Sequence, residues 1–241
     1  MSEVAVIVQA RSGSSRLPGK VLEHVGSCPL LVHVVRRAEQ AGYPVLVAPP
    51  GDDEPVYSLC HEHGIHVPAT GFGGEEGDVL GRFAHAWQTE LLGAEVLVRV
   101  TGDCPLLDWR QIQLAVHAVQ VCGADYATNA TMHLPVDGWD VEAFSWELLG
   151  EAHHEAASAY DREHVTPWMR RHADAKFYFN YALEAALQHR WTVDTAEDLA
   201  WLRKLHAALG NPAPPGPDAP TLLRFLGGRP SLQRYSTDAR S

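Results

Sequence analysis

Short apolar runs alternate with stretches of helical spacing along the first half of the chain. Residues 3–9 have the length and character of a buried strand, and 44–48, "PVLVA", form a second. Between them, 29–41, "PLLVHVVRRAEQA", repeats its apolar positions with helical period, and Pro29 occupies a favourable first-turn position. Residues 53–63 read as another helix, "IHVPA" as a short strand, and 78–92 as a helix with Asp78 as its N-cap. A strand at 95–101, a loop at 102–108, a helix at 109–121 and a strand near 124–128 follow. This βαβα order predicts an α/β fold: a mostly parallel central sheet flanked by helices.

The second half is less regular. A strand is expected at 140–145, helices at 146–157 and 160–172, and a strand in "AKFYFNYA". "RWTVDTAEDL" then gives a short strand, Asp194, and a helix capped by Thr195 with Asp198 three residues on, close to a capping box. Residues 1–209 read as the main domain. "GNPAPPGPDAP" opens a 210–241 tail of linker composition, with a short helix around 220–226 docking back.

Composition narrows the partners. Of the 241 residues, 46% are hydrophobic, enough for one buried core; 19 basic against 30 acidic residues leave a charge of −11. An acidic chain of this kind is not expected to bind nucleic acid. Cys28, Cys60, Cys104 and Cys122 are widely spaced and predict neither a disulfide framework nor a zinc knuckle. No cleavable leader is read at the start, and no apolar run reaches the roughly 18 residues of a membrane helix. A cytoplasmic protein without a membrane partner is expected.

One loop runs against the acidic average. "VIVQARSGSSRLPGKVL", residues 6–22, passes from an apolar strand into a basic, hydroxyl-rich turn. It is not a P-loop: Gly13 and Gly19 have five intervening residues, Val21 stands where a hydroxyl is needed, and Pro18 lacks an N–H. The dinucleotide fingerprint is absent as well. Phosphate binding here would rest on the side chains of Arg11, Arg16, Lys20, Ser12, Ser14 and Ser15.

Two carboxylates complement this loop. Asp103 in "VTGDCPLL" and Asp194 in "WTVDTAEDL" each follow an apolar strand. Asp at such a position also serves as a turn former or cap. Together they would suit one magnesium ion, which takes one or two carboxylates plus phosphate oxygens and water. Cations plus two carboxylates form a kit for transfer at a nucleotide phosphate. In parallel sheets, ligands bind beyond the carboxyl ends of strands, so the two loops are expected to face one crevice.

Six ordered blocks carry a resemblance: "VIVQARSGSSRLPGKVL", "GDVLGRF", "RVTGDCPLLD", "DGWDVEAFS", "DREHVTPWM" and "RWTVDTAEDL". Over roughly residues 4–205 the chain resembles the cytidylyltransferase family of spore-coat polysaccharide biosynthesis protein F. Acylneuraminate and CMP-KDO synthetases are more distant members. The resemblance implies a nucleotide-diphospho-sugar transferase-like Rossmann variant that moves CMP from CTP to a sugar acid, releasing pyrophosphate. It makes residues 1–209 the nucleotidyltransferase domain, with about 130–185 for acceptor binding and homodimer formation. Arg11, Ser12, Gly13, Ser15, Arg16 and Lys20 match the triphosphate loop, with Arg16 and Lys20 as catalytic cations. Asp103 and Asp194 match the carboxylates for Mg2+, and Asp103 also touches the nucleotide. Arg82 matches a nucleotide position. Gly81 departs from the acidic residue or Asn common there.

Asp140, Glu142, Arg162 and His164 are the acceptor-binding candidates, with Glu163 beside them; each also has an ordinary reading in a turn, strand or surface helix. The acidic pair Asp140 and Glu142 would suit hydroxyls or an amine better than a carboxylate. "CHEHGIH" matches no common zinc spacing. Most tryptophans lie in apolar patterns that suit core or dimer packing. A nucleotidyltransferase of other base or acceptor specificity, a glycosyltransferase and a catalytically silent nucleotide binder are the alternatives. "TGDCPLLD" lacks the D-x-D of the glycosyltransferase.

Overall fold

A computed structural model describes residues 3–130, 136–178 and 189–234. Five strands build the cleft side of the sheet and its continuation: β1 (Val4–Gln9), β4 (Val45–Ala48), β5 (Val96–Thr101), β6 (Tyr126–Thr128) and β7 (Glu142–Ser145). With β8 (Lys176–Tyr178) at the edge, the order is β4-β1-β5-β7-β6-β8. β4, β1 and β5 run parallel; β7 is antiparallel to both its neighbours, and β8 is parallel to β6. The expected mostly parallel sheet is present, with one reversed strand.

Helices cover both faces. On one side, α1 (Leu30–Glu39), α4 (Trp109–Gln120) and α8 (Ala196–Ala208) share an apolar core with Val6, Val8, Val98 and Val100. On the other, α3 (Val79–Glu90), α5 (Trp146–Glu155) and α7 (Pro167–His172) pack over Ile7, Leu97 and Phe144. Successive strand side chains point to opposite faces, so the β-branched runs of β1 and β5 supply both cores. α2 (Glu54–Glu62) is capped by Asp53.

Several expectations hold with small shifts. Asp78 caps α3, accepting from the Gly81 N–H at 2.9 Å, and Thr195 with Asp198 forms a full capping box on α8. α9 (Ala219–Gly227) docks through Leu222, Leu223 and Leu226 into the core under α1 and α8. Pro29 stands one residue earlier than expected, at the N-cap of α1.

Other expectations change. "IHVPA" makes only an isolated bridge, Leu46 to His66. Among the described residues, the short strand expected before Asp194 is only an isolated bridge from Arg190 to Asp137. A small hairpin, β2 (His24–Val25) with β3 (Cys28–Pro29), precedes α1. The helix expected at 160–172 is two helices, α6 (Ala159–His164) and α7. They break at Val165, whose φ is 70°. Pro167 lacks an N–H and its ring would clash inside a continuous helix, so it begins the second one instead. The second half of "AKFYFNYA" lies outside the described residues.

Candidate active site

β1 and β5 are neighbours, with Gln9 in register with Thr101. Their carboxyl ends therefore release the 10–20 loop and the 102–108 loop side by side, and the Gly102 N–H donates to the Gln9 carbonyl at 2.9 Å. A cleft of about 350 Å³ opens there. Its wall includes Arg11, Ser14, Ser15, Arg16 and Lys20 from the first loop, Asp103 from the second, and Arg82, His164 and Asp194.

The basic loop is folded by its own backbone. Ser14 and Gly19 N–H groups both donate to the Ser12 carbonyl, at 2.9 and 2.8 Å. Gly19 has φ 72°, a conformation glycine adopts without the Cβ penalty. The Ser12 N–H is taken by Asp53 Oδ2 at 2.6 Å, which ties the loop to the start of α2. Ser12 and Gly13 do not line the cleft. A Cβ on Gly13 would lie 2.6 Å from Glu76 Oε1.

Lys20 is the centre of the site. Its Nζ donates to Asp103 Oδ2 at 2.8 Å, to Asp194 Oδ1 at 3.0 Å and to the Val193 carbonyl at 2.9 Å. Arg16 adds a bond to Asp194 Oδ1 at 2.8 Å. Burial works to lower the Lys20 pKa, but Asp103 and Asp194 more than offset it, and the value is raised above the ordinary 10.5. Burial likewise works against the Asp103 carboxylate, yet Lys20 leaves its pKa lowered. Both groups are charged at neutral pH.

Asp194 reaches this point through Asp198. The Asp198 Oδ2 atom accepts from the backbone N–H groups of Asp194 and Thr195 at 2.7 and 2.8 Å. Arg190 bonds Asp198 and Asp194 at 2.7 and 3.0 Å. The Val193 N–H, donating to the Asp103 carbonyl at 3.0 Å, joins the two carboxylate segments.

Asp103 and Asp194 bring hard oxygen donors to one place, a donor set that fits a divalent metal taken in exchange for part of the Lys20 contact. Among the described residues no three His, Cys, Asp or Glu side chains group to hold a metal. A pair of carboxylates leaves the remaining positions for phosphate oxygens and water, the arrangement magnesium favours.

Arg82 is 3% exposed and lies on the cleft wall. One guanidinium nitrogen donates to the Ala48 carbonyl at 3.1 Å, while its buried Nε has no partner. Burial, with Arg11 nearby, brings its pKa down to about 10, still charged at neutral pH. Four cations on one cleft wall, Arg11, Arg16, Lys20 and Arg82, call for an anion. Gly81 has a local explanation: a Cβ there would lie 2.4 Å from Asp78 Oδ2 and 2.7 Å from Phe72 Cζ. Asp78 is held in place by Arg162, so a larger residue at position 81 has no room.

The acceptor candidates separate. His164 lines the cleft beside Glu163, its ring 4.5 Å from that of Tyr160. Arg162 does not: it makes a two-pronged pair with Asp78 at 2.8 and 2.7 Å. Glu142 is 1% exposed. It accepts from Tyr126, Thr166 and Arg170 at 2.5, 2.7 and 2.5 Å, and it also pairs with Arg99. Burial raises the Glu142 pKa, but the arginines prevail and hold it at about 2. With its oxygens taken and no exposure, it is a structural anion rather than an acceptor contact. Asp140 is half-buried, accepts from the Gly138 N–H at 3.3 Å and stands outside the cleft wall. Reading the block "DGWDVEAFS" alone could not reveal this, because the partners of Glu142 come from three other elements.

Three wall or support residues were not anticipated: Gln9, Thr101 and Asp53. Gln9 sits inside the quoted basic block, two residues before its first cation, Arg11. Asp53 carries a recognisable signal as the residue before Glu54-Pro55 at a helix start.

Comparison with known proteins agrees with this geometry. The cytidylyltransferase family model matches residues 5–207. The chain is 32% identical to spore coat polysaccharide biosynthesis protein SpsF of Bacillus subtilis (strain 168), covering 95% of this chain and 96% of that protein. It is 29% identical to 3-deoxy-manno-octulosonate cytidylyltransferase of Nitrosococcus oceani, covering 88% and 91%. A solved cytidylyltransferase from Leptospira borgpetersenii superposes with a TM-score of 0.83 at 25% identity over 99% of both chains. A match across nearly the whole sheet and both carboxylate loops leads to one conclusion: this chain belongs to the cytidylyltransferase family and is a nucleotidyltransferase.

Proposed function

We propose that the chain transfers CMP from CTP to a hydroxyl of a sugar acid, with magnesium, in the synthesis of a surface glycan precursor. The observation that carries this reading is the Lys20 ammonium held between Asp103 and Asp194 at the floor of the cleft, with Arg16 beside it.

In the reaction the acceptor hydroxyl attacks the α-phosphorus in line. A new P–O bond forms, the bond to pyrophosphate breaks, and the hydroxyl proton passes to water. Arg16, 65% exposed at its side chain, is free to turn toward the leaving phosphates, and its planar fork takes two oxygens. Lys20 supplies a fixed point charge. Arg11 and Arg82, which also line the cleft, neutralise the nucleotide, and Ser15 offers a hydroxyl to the triphosphate. Asp103 and Asp194 would hold the magnesium, which when bound polarises the reacting phosphoryl group. His164 lies at the acceptor end.

The enzyme is proposed to work in the cytoplasm, consistent with four free cysteines; no described helix is long and apolar enough to cross a membrane. A homodimer through the 130–185 region is part of the same reading. Phe177 and Tyr178 on the edge strand β8 are exposed, as such an interface would require. Light scattering on the purified chain tests it: a monomer at all concentrations ends that part.

The deciding experiment is pyrophosphate release from each of the four nucleoside triphosphates against a panel of nonulosonic and octulosonic acids. Dependence on CTP, one acid and magnesium is expected. Release with another triphosphate overturns the cytidylyl assignment, and full activity after chelation overturns the metal.

A further inference from the structure

The wall of the cleft at the end of β1 is backed by a row of charges. Gln9 and Ile7 share one face of β1, as Arg99 and Leu97 do on β5 and Glu142 and Phe144 on β7. Ile7, Leu97 and Phe144 lie in the apolar core; Gln9, Arg99 and Glu142 continue the same rows toward the cleft.

These polar residues form a chain of fixed contacts. Arg99 Nε donates to Gln9 Oε1 at 2.9 Å, and Arg99 pairs with Glu142. Glu142 is locked in turn by Tyr126, Thr166 and Arg170. A guanidinium has donors only, so the Gln9 oxygen must face Arg99 and its NH2 group must face the other way. Donation into an amide oxygen polarises the amide and strengthens its N–H groups. Gln9 lines the cleft with Thr101 and His164.

We propose that Gln9 is a specificity-determining residue that donates its amide N–H groups to an oxygen of the acceptor, with Arg99 as its positioning residue. This rests on the cytidylyl-transfer reading above. Glutamine suits the task because it orients an oxygen without competing for the triphosphate as another cation would.

The test uses the full-length protein and steady-state pyrophosphate release with CTP and the acid that the unsubstituted enzyme accepts. Gln9→Leu keeps the size of the side chain and removes its donors. An acceptor KM raised about tenfold, with the CTP KM changed by less than about twofold, is expected for one lost hydrogen bond. An unchanged acceptor KM overturns the proposal, and so does a rise confined to the CTP KM. Gln9→Glu identifies the oxygen. A further rise means a carboxylate, repelled by the new charge; recovery means a hydroxyl that donates to it. Both support the contact. Arg99→Lys keeps a cation against Glu142 and loses the planar contact. It should raise the acceptor KM with no shift in the thermal midpoint, and an unmoved KM removes the positioning role. If the unsubstituted enzyme uses no acid in the panel, the cytidylyl-transfer reading itself fails, and the Gln9 assignment falls with it.

Discussion

Two clusters of opposite charges stand at the ends of neighbouring strands, and they differ in what they leave over. At Lys20, two carboxylates share one ammonium, and Arg16 remains mostly exposed beside them. At Glu142, one buried carboxylate takes Arg99, Arg170, Tyr126 and Thr166. The first cluster keeps a mostly exposed cation on the cleft; the second shuts its carboxylate away. Charge in a sequence therefore marks a reactive centre only where the fold keeps part of it turned toward solvent.

The contrast is broken most forcefully at the closed cluster. Glu142→Ala would leave two arginines without their shared anion, and a loss of ~3–5 kcal/mol of stability is expected from an orphaned buried pair. Urea unfolding measures it; a loss below ~1 kcal/mol would mean that water relieves the cluster. At the open cluster the damage should fall on turnover. Lys20→Ala is expected to retain the fold by circular dichroism and to lose about 10²–10³-fold in pyrophosphate release. Unchanged turnover there removes Lys20 from the chemistry.

Acid sharpens the comparison. Glu142 is held at about 2, below its ordinary 4.5, so its contribution is complete above pH 4.5 and is lost as the pH falls toward 2. His33 is buried against α8, its ring 5.2 Å from that of His206 and its Nε2 atom 2.9 Å from the Val25 carbonyl. Burial, aided by His206 and Arg37, brings its pKa from 6.5 down to about 4. The unfolded chain binds that proton first, so stability begins to decline below pH 6.5. A stability profile should thus show a shallow limb from 6.5 to 4 that His33→Gln removes. The limb below 4.5, to which Asp103, Asp78 and Asp198 also contribute, should be shallower in Glu142→Gln. The smallest effect belongs to a solvent-exposed pair: Glu23→Gln, which breaks the 2.7 Å contact with Arg203, should shift stability by less than ~1 kcal/mol.

Much of this was legible from local chemistry. Asp78, Thr195 and Asp198 announce helix starts because a cap acts within one turn. β1 and β5 announce themselves by apolar runs rich in valine. The approach of Lys20 to Asp103 followed from the rule that parallel strands end at one edge, whereas Asp194 joins them from a segment without a strand, held by Asp198. Less accessible were features set by distant partners. Glu142 looks like Asp140 in the chain; only the return of α7 over the sheet separates a saturated anion from a half-buried one. The β2–β3 hairpin has two residues per strand, too few for periodicity. Gln9 gives no signal of its own, because its orientation is dictated by Arg99, ninety positions later.

The bond between Arg16 and Asp194 spans 178 positions. Contacts so remote in the chain are slow to form and must await synthesis of both partners. The cleft is thus a late product of folding: its two sides meet only after the sheet between them has formed.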